Sequence, residues 1–186
     1  MTFVDVFRMR LKTSLVLLLM GTLLLGCDYI EVIYDAIRAK DPMDLTNGID
    51  FKKADLPPFV ESFSGISFPE KGGRWTDTRP GEPAVITFKT DLPENVTLIF
   101  HVHGAYGPNR EKKSKIIVGD QEKTFKPTDY DIVYTMPFKG LKGVRTIKIL
   151  PAEPTKPSVF SPPSGDNRNI AIMLDRLGIS KRIADE

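Results

Sequence analysis

The chain contains a run with an apolar residue at every second position, Val96-Thr97-Leu98-Ile99-Phe100-His101-Val102-His103. Every even-numbered position in this run is apolar, whereas the odd-numbered positions include a threonine and two histidines. Successive side chains of a β-strand point to opposite faces of a sheet, so a period of two places the apolar set on one side. The run therefore predicts a half-buried strand with one face in a core and the other towards solvent.

Shorter runs of the same kind occur on both sides of this strand. We expect further strands at 84–89, 115–118, 123–125, 130–136, 144–150 and 170–174. Turn-forming residues separate them, namely Asp91-Leu92-Pro93-Glu94-Asn95, Gly107-Pro108-Asn109, Gly119-Asp120 and Lys139-Gly140. Because no helical period lies between these strands, the sequence predicts an all-β fold, an antiparallel, jelly-roll-like β-sandwich over residues 58–186. The proline-rich stretch 151–163 is expected to be a long surface loop.

The N-terminal residues have the layout of a bacterial lipoprotein signal. Three basic residues precede an apolar run from Leu15 to Leu25, which is followed by Gly26 and Cys27. A charged start, an apolar centre and a small residue before the cut are typical of an exported precursor. We expect residues 1–26 to be a signal peptide and Cys27, the only cysteine, to be lipidated. A retained membrane anchor is the alternative, although about 20 apolar residues are needed to cross a bilayer.

Residues 27–57 are expected to join the lipid to the sandwich through a short helix and a linker. Asp28 and Glu31 resemble a capping box, apolar residues at helical spacing follow, and Pro42 ends the pattern. This helix either lies on the membrane or packs on the domain. The sequence predicts a lipid-anchored protein of the bacterial cell envelope that faces the periplasm. In enterobacteria an aspartate after the lipidated cysteine signals retention, so Asp28 favours the inner over the outer membrane.

Composition excludes several classes of function. Three of the 26 basic residues and one of the 24 acidic residues lie in the predicted signal, which leaves 23 of each sign. A neutral chain lacks the basic face with which nucleic-acid binders displace counterions, so no nucleic-acid partner is expected. With Cys27 acylated, no thiol remains for a disulfide or a nucleophile. The sequence contains no nucleophile elbow, phosphate-binding loop or HExxH motif, and we expect no cofactor and no catalytic residue.

His101 and His103 lie two positions apart on the central predicted strand, so their side chains share one face. Such a pair is able to ligate a metal if an Asp or Glu from a neighbouring strand completes the shell. Alternatively, both are polar residues on the outer face of a half-solvated strand. Local spacing supplies no third ligand, and we expect no metal here.

The stretch Gly73-Arg74-Trp75-Thr76-Asp77 holds the only tryptophan. An indole face covers the apolar face of a sugar ring well, while Arg74 and Asp77 would bind hydroxyl or anionic groups. The same residues would also form a structural cluster, with the arginine and aspartate satisfying each other. Asp166 and Arg168 pose the same choice between an internal ion pair and a polar rim for a ligand. The candidate ligand-binding residues are Trp75, Arg74, Asp77, Asn109 and Arg168.

Six short motifs follow one another along the chain. They are Phe63-Ser64-Gly65, Gly73-Arg74-Trp75-Thr76-Asp77, Ala105-Tyr106-Gly107-Pro108-Asn109, Val118-Gly119 with Gln121 and Thr124-Phe125, Pro151 with Pro154, and Asp166-Asn167-Arg168. Their order resembles the C-terminal, non-catalytic β-sandwich domain of the phosphoglycerol transferase I family, over residues 59–175. The chain departs from that family at Ile170-Ala171-Ile172, where the family favours Leu-Gly-Ile.

That family decorates osmoregulated periplasmic glucans with phosphoglycerol, so the resemblance implies a domain that serves an envelope glycan. Its catalytic part resembles the alkaline phosphatase and sulfatase superfamily and needs a metal site of several Asp, Glu and His residues. This chain has two histidines, both in one predicted strand, so the resemblance does not extend to the transfer activity. We predict a stand-alone envelope lipoprotein that is not an enzyme and that binds an envelope or periplasmic glycan or assists a glycan-modifying enzyme.

Two other functions remain open from the sequence. The first is a protein–protein interaction module of an envelope complex, which would bind through an open strand edge or through the loop 151–163. The second is a small metal-dependent hydrolase that uses His101 and His103.

Overall fold

The computed structural model describes residues 48–160 and 164–181. Three predictions lie outside the described residues: the signal peptide 1–26, the lipidated Cys27 and the short helix that begins near Asp28. Among the described residues, no helix is both long enough and apolar enough to cross a bilayer.

Within the described residues, ten strands form two antiparallel sheets of five strands each. The first sheet contains β1 (Ile49–Asp50), β3 (Arg74–Asp77), β5 (Val96–Ala105), β8 (Ile132–Phe138) and β10 (Ile170–Ser180). The second sheet contains β2 (Val60–Ser64), β4 (Ala84–Phe88), β6 (Ser114–Val118), β7 (Gln121–Phe125) and β9 (Thr146–Leu150). The order is β1-β10-β5-β8 in the first sheet, with β3 also paired to β10, and β2-β4-β9-β6-β7 in the second. This arrangement confirms the predicted all-β antiparallel sandwich.

The core lies between the two sheets and is filled by the apolar face of each strand. On β5 the even-numbered side chains are fully buried, as the alternation predicts, and Ile99 on the opposite face is 43% exposed. The second sheet contributes Ile86, Ile116 and Ile149, which are also fully buried. Each such side chain contributes roughly 1.5 to 3 kcal/mol by leaving water. The hydrophobic contact between the sheets is therefore the main source of stability.

Strand β10 is longer than the sequence indicated. It continues past the predicted end at Leu174 and ends at Ser180. It pairs with β5 along one edge and with β1 and β3 along the other. The register against β5 shifts near Leu174 and Arg176, which is an irregularity of the β-bulge type. A bulge breaks the period of two, so the second half of this strand does not show the alternating pattern of a single continuous strand.

The sandwich begins before the boundary that the sequence placed at residue 58. Ile49 pairs with Leu177 of β10, and both Ile49 and Phe51 are fully buried in the core. The predicted linker 27–57 therefore needs correction at its C-terminal end, since residues 49–51 are part of the fold. The sequence did not reveal this strand, because two apolar residues, Ile49 and Phe51, are too few to show a period of two.

The proline-rich segment also packs more closely than a surface loop. Pro151, Pro154 and Pro157 are buried, and Thr155 forms a bridge to Ile170 at the start of β10. A one-turn helix, α1 (Pro157–Phe160), follows, and a 3₁₀ turn spans Gly107–Arg110 after β5. The 3₁₀ turn lies beside the start of β10, as the hydrogen bond from Tyr106 N to Ala171 O shows, and Phe160 of α1 contacts the Tyr106 ring.

Candidate functional site

Strand β3 divides the Trp75 motif between two faces. Arg74 and Thr76 point inwards and are buried, whereas Trp75 and Asp77 point to the opposite face and are half-buried. Trp75 pairs in register with Met173 of β10. Successive side chains of a strand must alternate in this way, so the motif cannot present all its polar groups to one ligand.

Arg74 lies inside the fold, and backbone oxygens occupy its guanidinium. It is 8% exposed, and its guanidinium donates hydrogen bonds to three backbone oxygens, those of Ser67 (3.0 Å), Lys53 (2.8 Å) and Ala54 (2.9 Å). Its Cζ atom lies 5.6 Å from the centre of the Phe63 ring. Burial lowers the pKa of this guanidinium. The side chain joins the segment before β2 to the hairpin that carries β3.

Asn109 also lies inside the fold and bonds to neighbouring backbone groups. It is fully buried in the 3₁₀ turn, where its amide nitrogen donates to Tyr106 O (2.9 Å) and Glu153 O (2.7 Å). Its amide oxygen accepts a hydrogen bond from Glu153 N at 2.9 Å. These bonds tie the turn after β5 to the proline-rich segment, and a ligand would have no access to the side chain.

Three aromatic rings form a row that leads from the strand surface to solvent. The centre of the Trp75 ring lies 6.3 Å from that of Tyr106, and the Tyr106 ring lies 5.6 Å from that of Phe160. Both contacts are edge-to-face, with interplanar angles of 84° and 69°. Trp75 and Tyr106 are half-buried, whereas Phe160 is 55% exposed. Sequence reasoning found Trp75 but missed Phe160, whose only signal is an aromatic residue in a proline-rich segment.

Arg168 lies at the centre of an ion-pair network just before β10. Its Nε and Nη2 atoms donate to the two oxygens of Asp166 at 3.1 and 2.7 Å, and its Nη1 donates to Glu70 Oε1 at 2.7 Å. These bonds raise the pKa of Arg168, with the Asp166 bond as the largest cause, and lower the pKa of Asp166. The arginine also lies over Phe68, with Cζ 4.7 Å from the ring centre. The internal ion pair therefore forms, and 22% of the arginine side chain stays exposed.

Asp77 holds the start of β10 in place. Its Oδ1 atom accepts a hydrogen bond from Asn169 N at 2.8 Å, next to Arg168 in the chain. One oxygen of this half-buried carboxylate therefore already accepts a hydrogen bond. It connects the strand that carries Trp75 to the segment that carries Arg168.

A tight turn between Glu70 and Gly73 links this region to the two histidines. Glu70 and Gly73 exchange backbone hydrogen bonds of 2.7 and 3.1 Å. The Gly72 backbone lies against His103 and Met173, since a Cβ placed on Gly72 would be 2.6 Å from His103 Cδ2 and from Met173 Sδ. Only a glycine fits at this position without moving the histidine. Trp75, Met173 and His103 therefore lie on the same outer face of the first sheet.

His101 and His103 share one face of β5, as predicted, and two aspartates contact them. Asp175 Oδ2 lies 2.8 Å from His101 Nδ1, while Asp131 Oδ1 lies 3.5 Å from His101 Nε2 and 2.6 Å from His103 Nδ1. Lys52 Nζ lies 2.6 Å from the other oxygen of Asp175. One ligand atom each from His101, Asp131 and Asp175 lie within 4.8 Å of one another, a spacing suited to a metal ion. Sequence reasoning anticipated an acid from a neighbouring strand but did not name these two.

The chain is similar to a much larger enzyme over most of its own length. It is 30% identical over 127 residues to phosphoglycerol transferase I of Escherichia fergusonii and 31% identical over 127 residues to that of Escherichia coli O139:H28. Each match covers 68% of this chain and 16% of the relative, so the chain spans about a sixth of the length of these relatives. The resemblance stated from the sequence is confirmed, and a match of this extent fits one non-catalytic domain of that enzyme.

Solved structures with a similar fold include a family 29 carbohydrate-binding module. It is 15% identical, with a TM-score of 0.48, over 72% of this chain and 85% of that chain. A single-residue variant of such a module, in complex with cellulohexaose, is 16% identical, with a TM-score of 0.45, over 71% of this chain and 87% of that chain.

The family comparison covers all of the described residues. Residues 37–181 match the family described as a domain of unknown function, DUF7024. The matched range includes every strand of both sheets and more than three quarters of the chain. The chain therefore belongs to the DUF7024 family.

Proposed function

We propose that this chain is a non-catalytic module of the bacterial envelope that binds a glycan or assists an enzyme that modifies one. The relationship to phosphoglycerol transferase I supports this function, because 68% of the chain corresponds to about a sixth of that enzyme. A part of that size would serve the enzyme by recognition rather than by the transfer itself. The chain's own surface indicates how such recognition would occur.

The row of Trp75, Tyr106 and Phe160 is the observation that carries the proposal. Sugar-binding surfaces need flat apolar faces held at fixed angles, together with a few polar groups that set orientation. The edge-to-face contacts fix the three rings relative to one another, and Phe160 leaves more than half of its surface to solvent. Such a row would stack against the apolar face of a sugar ring, and Arg168, whose side chain is 22% exposed just before β10, would add a polar contact.

Isothermal titration of the full-length chain with periplasmic glucans tests this proposal. We expect Phe160→Ala and Trp75→Ala to weaken binding at least about fivefold, since a stacked ring contributes on the order of 1 kcal/mol or more. Lys115→Ala in β6 is the matched control, because this exposed side chain lies on the second sheet and pairs with Glu122. Absence of binding to every envelope glycan tried, or equal affinity in all variants, would refute glycan recognition by this row.

The location in the envelope is a second part of the proposal. The charged start, the apolar run and Cys27 support lipid attachment, and Asp28 favours retention at the inner membrane. Intact mass of detergent-extracted protein measures it directly. We expect a chain that begins at Cys27 with a diacylglycerol adduct, and a Cys27→Ser variant that is not acylated. Membrane fractionation then separates inner from outer membrane.

A specific surface also favours a protein partner as the second candidate function. Ile99 and Val133 are 43% and 57% exposed, and they lie on neighbouring strands at the outer face of the first sheet. Strand β8 is an edge strand, so its free side would accept another chain. Co-purification of an envelope enzyme that is lost in Val133→Lys but kept in Phe160→Ala would favour this function over glycan binding.

A further inference from the structure

We infer that the outer face of the first sheet carries a site for a divalent transition metal, ligated by His101, His103 and Asp131. This site is independent of the proposed glycan surface. The two histidines point outwards from β5, and Asp131 precedes β8, the strand that pairs with β5. Strand pairing therefore brings three potential ligands from two segments to one place.

Asp175 prepares His101 for this role. Its carboxylate lies 2.8 Å from His101 Nδ1, and only 9% of the Asp175 side chain is exposed. A carboxylate accepts a hydrogen bond, so this contact places the ring proton on Nδ1 and leaves the Nε2 lone pair free. Carboxylates commonly orient metal-binding histidines in this way and raise their basicity as ligands. Asp175 is therefore a positioning residue, and Lys52 holds its other oxygen at 2.6 Å.

The free nitrogen of His101 faces Asp131 at a suitable distance. Bonds of about 2.0 to 2.1 Å in a tetrahedral zinc site place neighbouring ligand atoms about 3.4 Å apart. His101 Nε2 and Asp131 Oδ1 are 3.5 Å apart, which matches this value. His103 must rearrange when a metal enters, because the ligand atoms that already lie within 4.8 Å of one another belong to His101, Asp131 and Asp175. Its Nδ1 atom must give up the 2.6 Å hydrogen bond to Asp131 Oδ1, that distance must lengthen by about 1 Å, and its ring must turn towards His101. These side chains are 45% and 58% exposed, so they have room for that change.

The charges of the cluster favour a cation. Asp131 and Asp175 bring two negative charges, and Lys52 compensates one of them. Two imidazole nitrogens and one carboxylate oxygen form a ligand set that suits Zn²⁺ and other late transition metals, whereas Mg²⁺ and Ca²⁺ prefer oxygen ligands alone. Three protein ligands leave a fourth position for water or for an oxygen of a bound molecule. The cluster thus has the composition of an open zinc site.

Direct titration with Zn²⁺ tests the site on the full-length chain. The protein must carry no polyhistidine tag and is first stripped with a chelator. We expect one equivalent of Zn²⁺ to bind, and Co²⁺ to give a visible absorption band typical of low coordination number. His103→Ala and Asp131→Asn should each lower the affinity at least about tenfold, and the double variant of His101→Ala with His103→Ala should abolish stoichiometric binding. The half-exposed positions 103 and 131 keep the test valid if replacement of His101 impairs folding.

Two further variants complete the Zn²⁺ titration, a control on the second sheet and a change at the positioning residue Asp175. Glu122→Gln removes an exposed carboxylate on the second sheet and should bind Zn²⁺ as the unmodified chain does. Asp175→Asn should weaken binding about tenfold to a hundredfold and shift the Co²⁺ band, an effect that loss of packing alone would not produce. The inference is wrong if stripped protein takes up less than one equivalent of Zn²⁺, or if the double histidine variant binds as tightly as the unmodified chain.

Discussion

The guanidinium of Arg168 lies over the ring of Phe68, with Cζ 4.7 Å from the ring centre, while 62% of Phe68 remains exposed. Asp166 and Glu70 fix the same guanidinium by hydrogen bonds. Phe68 belongs to the hairpin that carries Trp75, since Ser67 N donates to Trp75 O. An exposed ring held from one side by a fixed cation has the features of a binding platform rather than of a core residue.

The first prediction is that Phe68→Ala weakens glycan binding, because it removes an exposed ring on which a sugar would stack, and lowers the free energy of unfolding by no more than about 1 kcal/mol. An exposed cation–ring contact contributes about 0.5 to 1 kcal/mol, and surface substitutions usually alter stability by about 0.5 kcal/mol or less. Titration calorimetry with a periplasmic glucan and a thermal melt measure the two effects separately. A marked drop in melting temperature with unchanged affinity would show that the ring serves the fold instead.

The second prediction concerns acid stability. Hydrogen bonding to Arg168 lowers the pKa of Asp166, so the folded state favours the ionised carboxylate. This contribution is fully present above the unfolded pKa of about 4 and is lost as the pH falls through the lower pKa of the folded state. We therefore expect Asp166→Asn to reduce the free energy of unfolding at pH 7 but to have a much smaller effect near pH 2. Urea unfolding at both pH values measures this, and an equal effect at both would contradict it.

The third prediction separates a structural asparagine from a surface one. Asn109→Ala removes three hydrogen bonds from a fully buried side chain and takes away the acceptor of the Glu153 N–H, while Glu153 O keeps its hydrogen bond from Thr155 Oγ1. We expect a loss of about 2 to 3 kcal/mol in the free energy of unfolding. Asn95→Ala is the control, since that exposed side chain makes one bond, to Gly140 N at 3.1 Å. A comparable loss in both variants by urea titration would argue against a locking role for Asn109.

The strands that place alternate side chains in the core were predictable from the sequence. β4 keeps a period of two, as does β5 from Leu98 to His103, and the observed burial follows it there. The second half of β10 escaped prediction because the register shift near Asp175 changes which residues face the core. The two residues Ile49–Asp50 of β1 are too few to show any period. Pattern reasoning thus succeeds where pairing is regular and fails at bulges and very short strands.

The candidate site was only partly predictable, because residue type does not reveal which partner a side chain finds. The Arg74 side chain donates hydrogen bonds to the backbone oxygens of Lys53 and Ala54, about 20 positions away in sequence. The Asn109 side chain donates one to the backbone oxygen of Glu153. Such long-range contacts leave no local signal. The shared face of His101 and His103 followed from strand geometry alone. Their aspartate partners required the pairing of β5 with β8 and β10.

The fourth prediction uses two glycines that both have positive φ. Gly73 has φ +134°, and a Cβ there would lie 1.9 Å from Leu174 O, a backbone atom of β10. Gly81 has φ +83° with open space around it. Gly81→Ala should therefore cost about 1 kcal/mol of backbone strain, whereas Gly73→Ala should cost several times more, because β10 must also move. Thermal unfolding of both variants compares them, and similar melting temperatures would count against the close approach of β3 to β10.

The last prediction tests where the domain begins. Phe51 is fully buried, its ring centre lies 5.6 Å from that of Phe63, and its backbone N donates to Asp175 O. Phe51→Ala should therefore lower the free energy of unfolding by about 3 to 5 kcal/mol, the cost of an aromatic side chain removed from a core. Leu56→Ala in the same segment is the control, because Leu56 is 40% exposed and should change stability by under about 1 kcal/mol. If both variants unfold at the same urea concentration as the unmodified chain, residues 49–51 are a dispensable linker. If only Phe51→Ala unfolds early, the segment that precedes residue 58 is an integral part of the sandwich, and a fragment cut at that boundary would lose β1 and a core aromatic residue together.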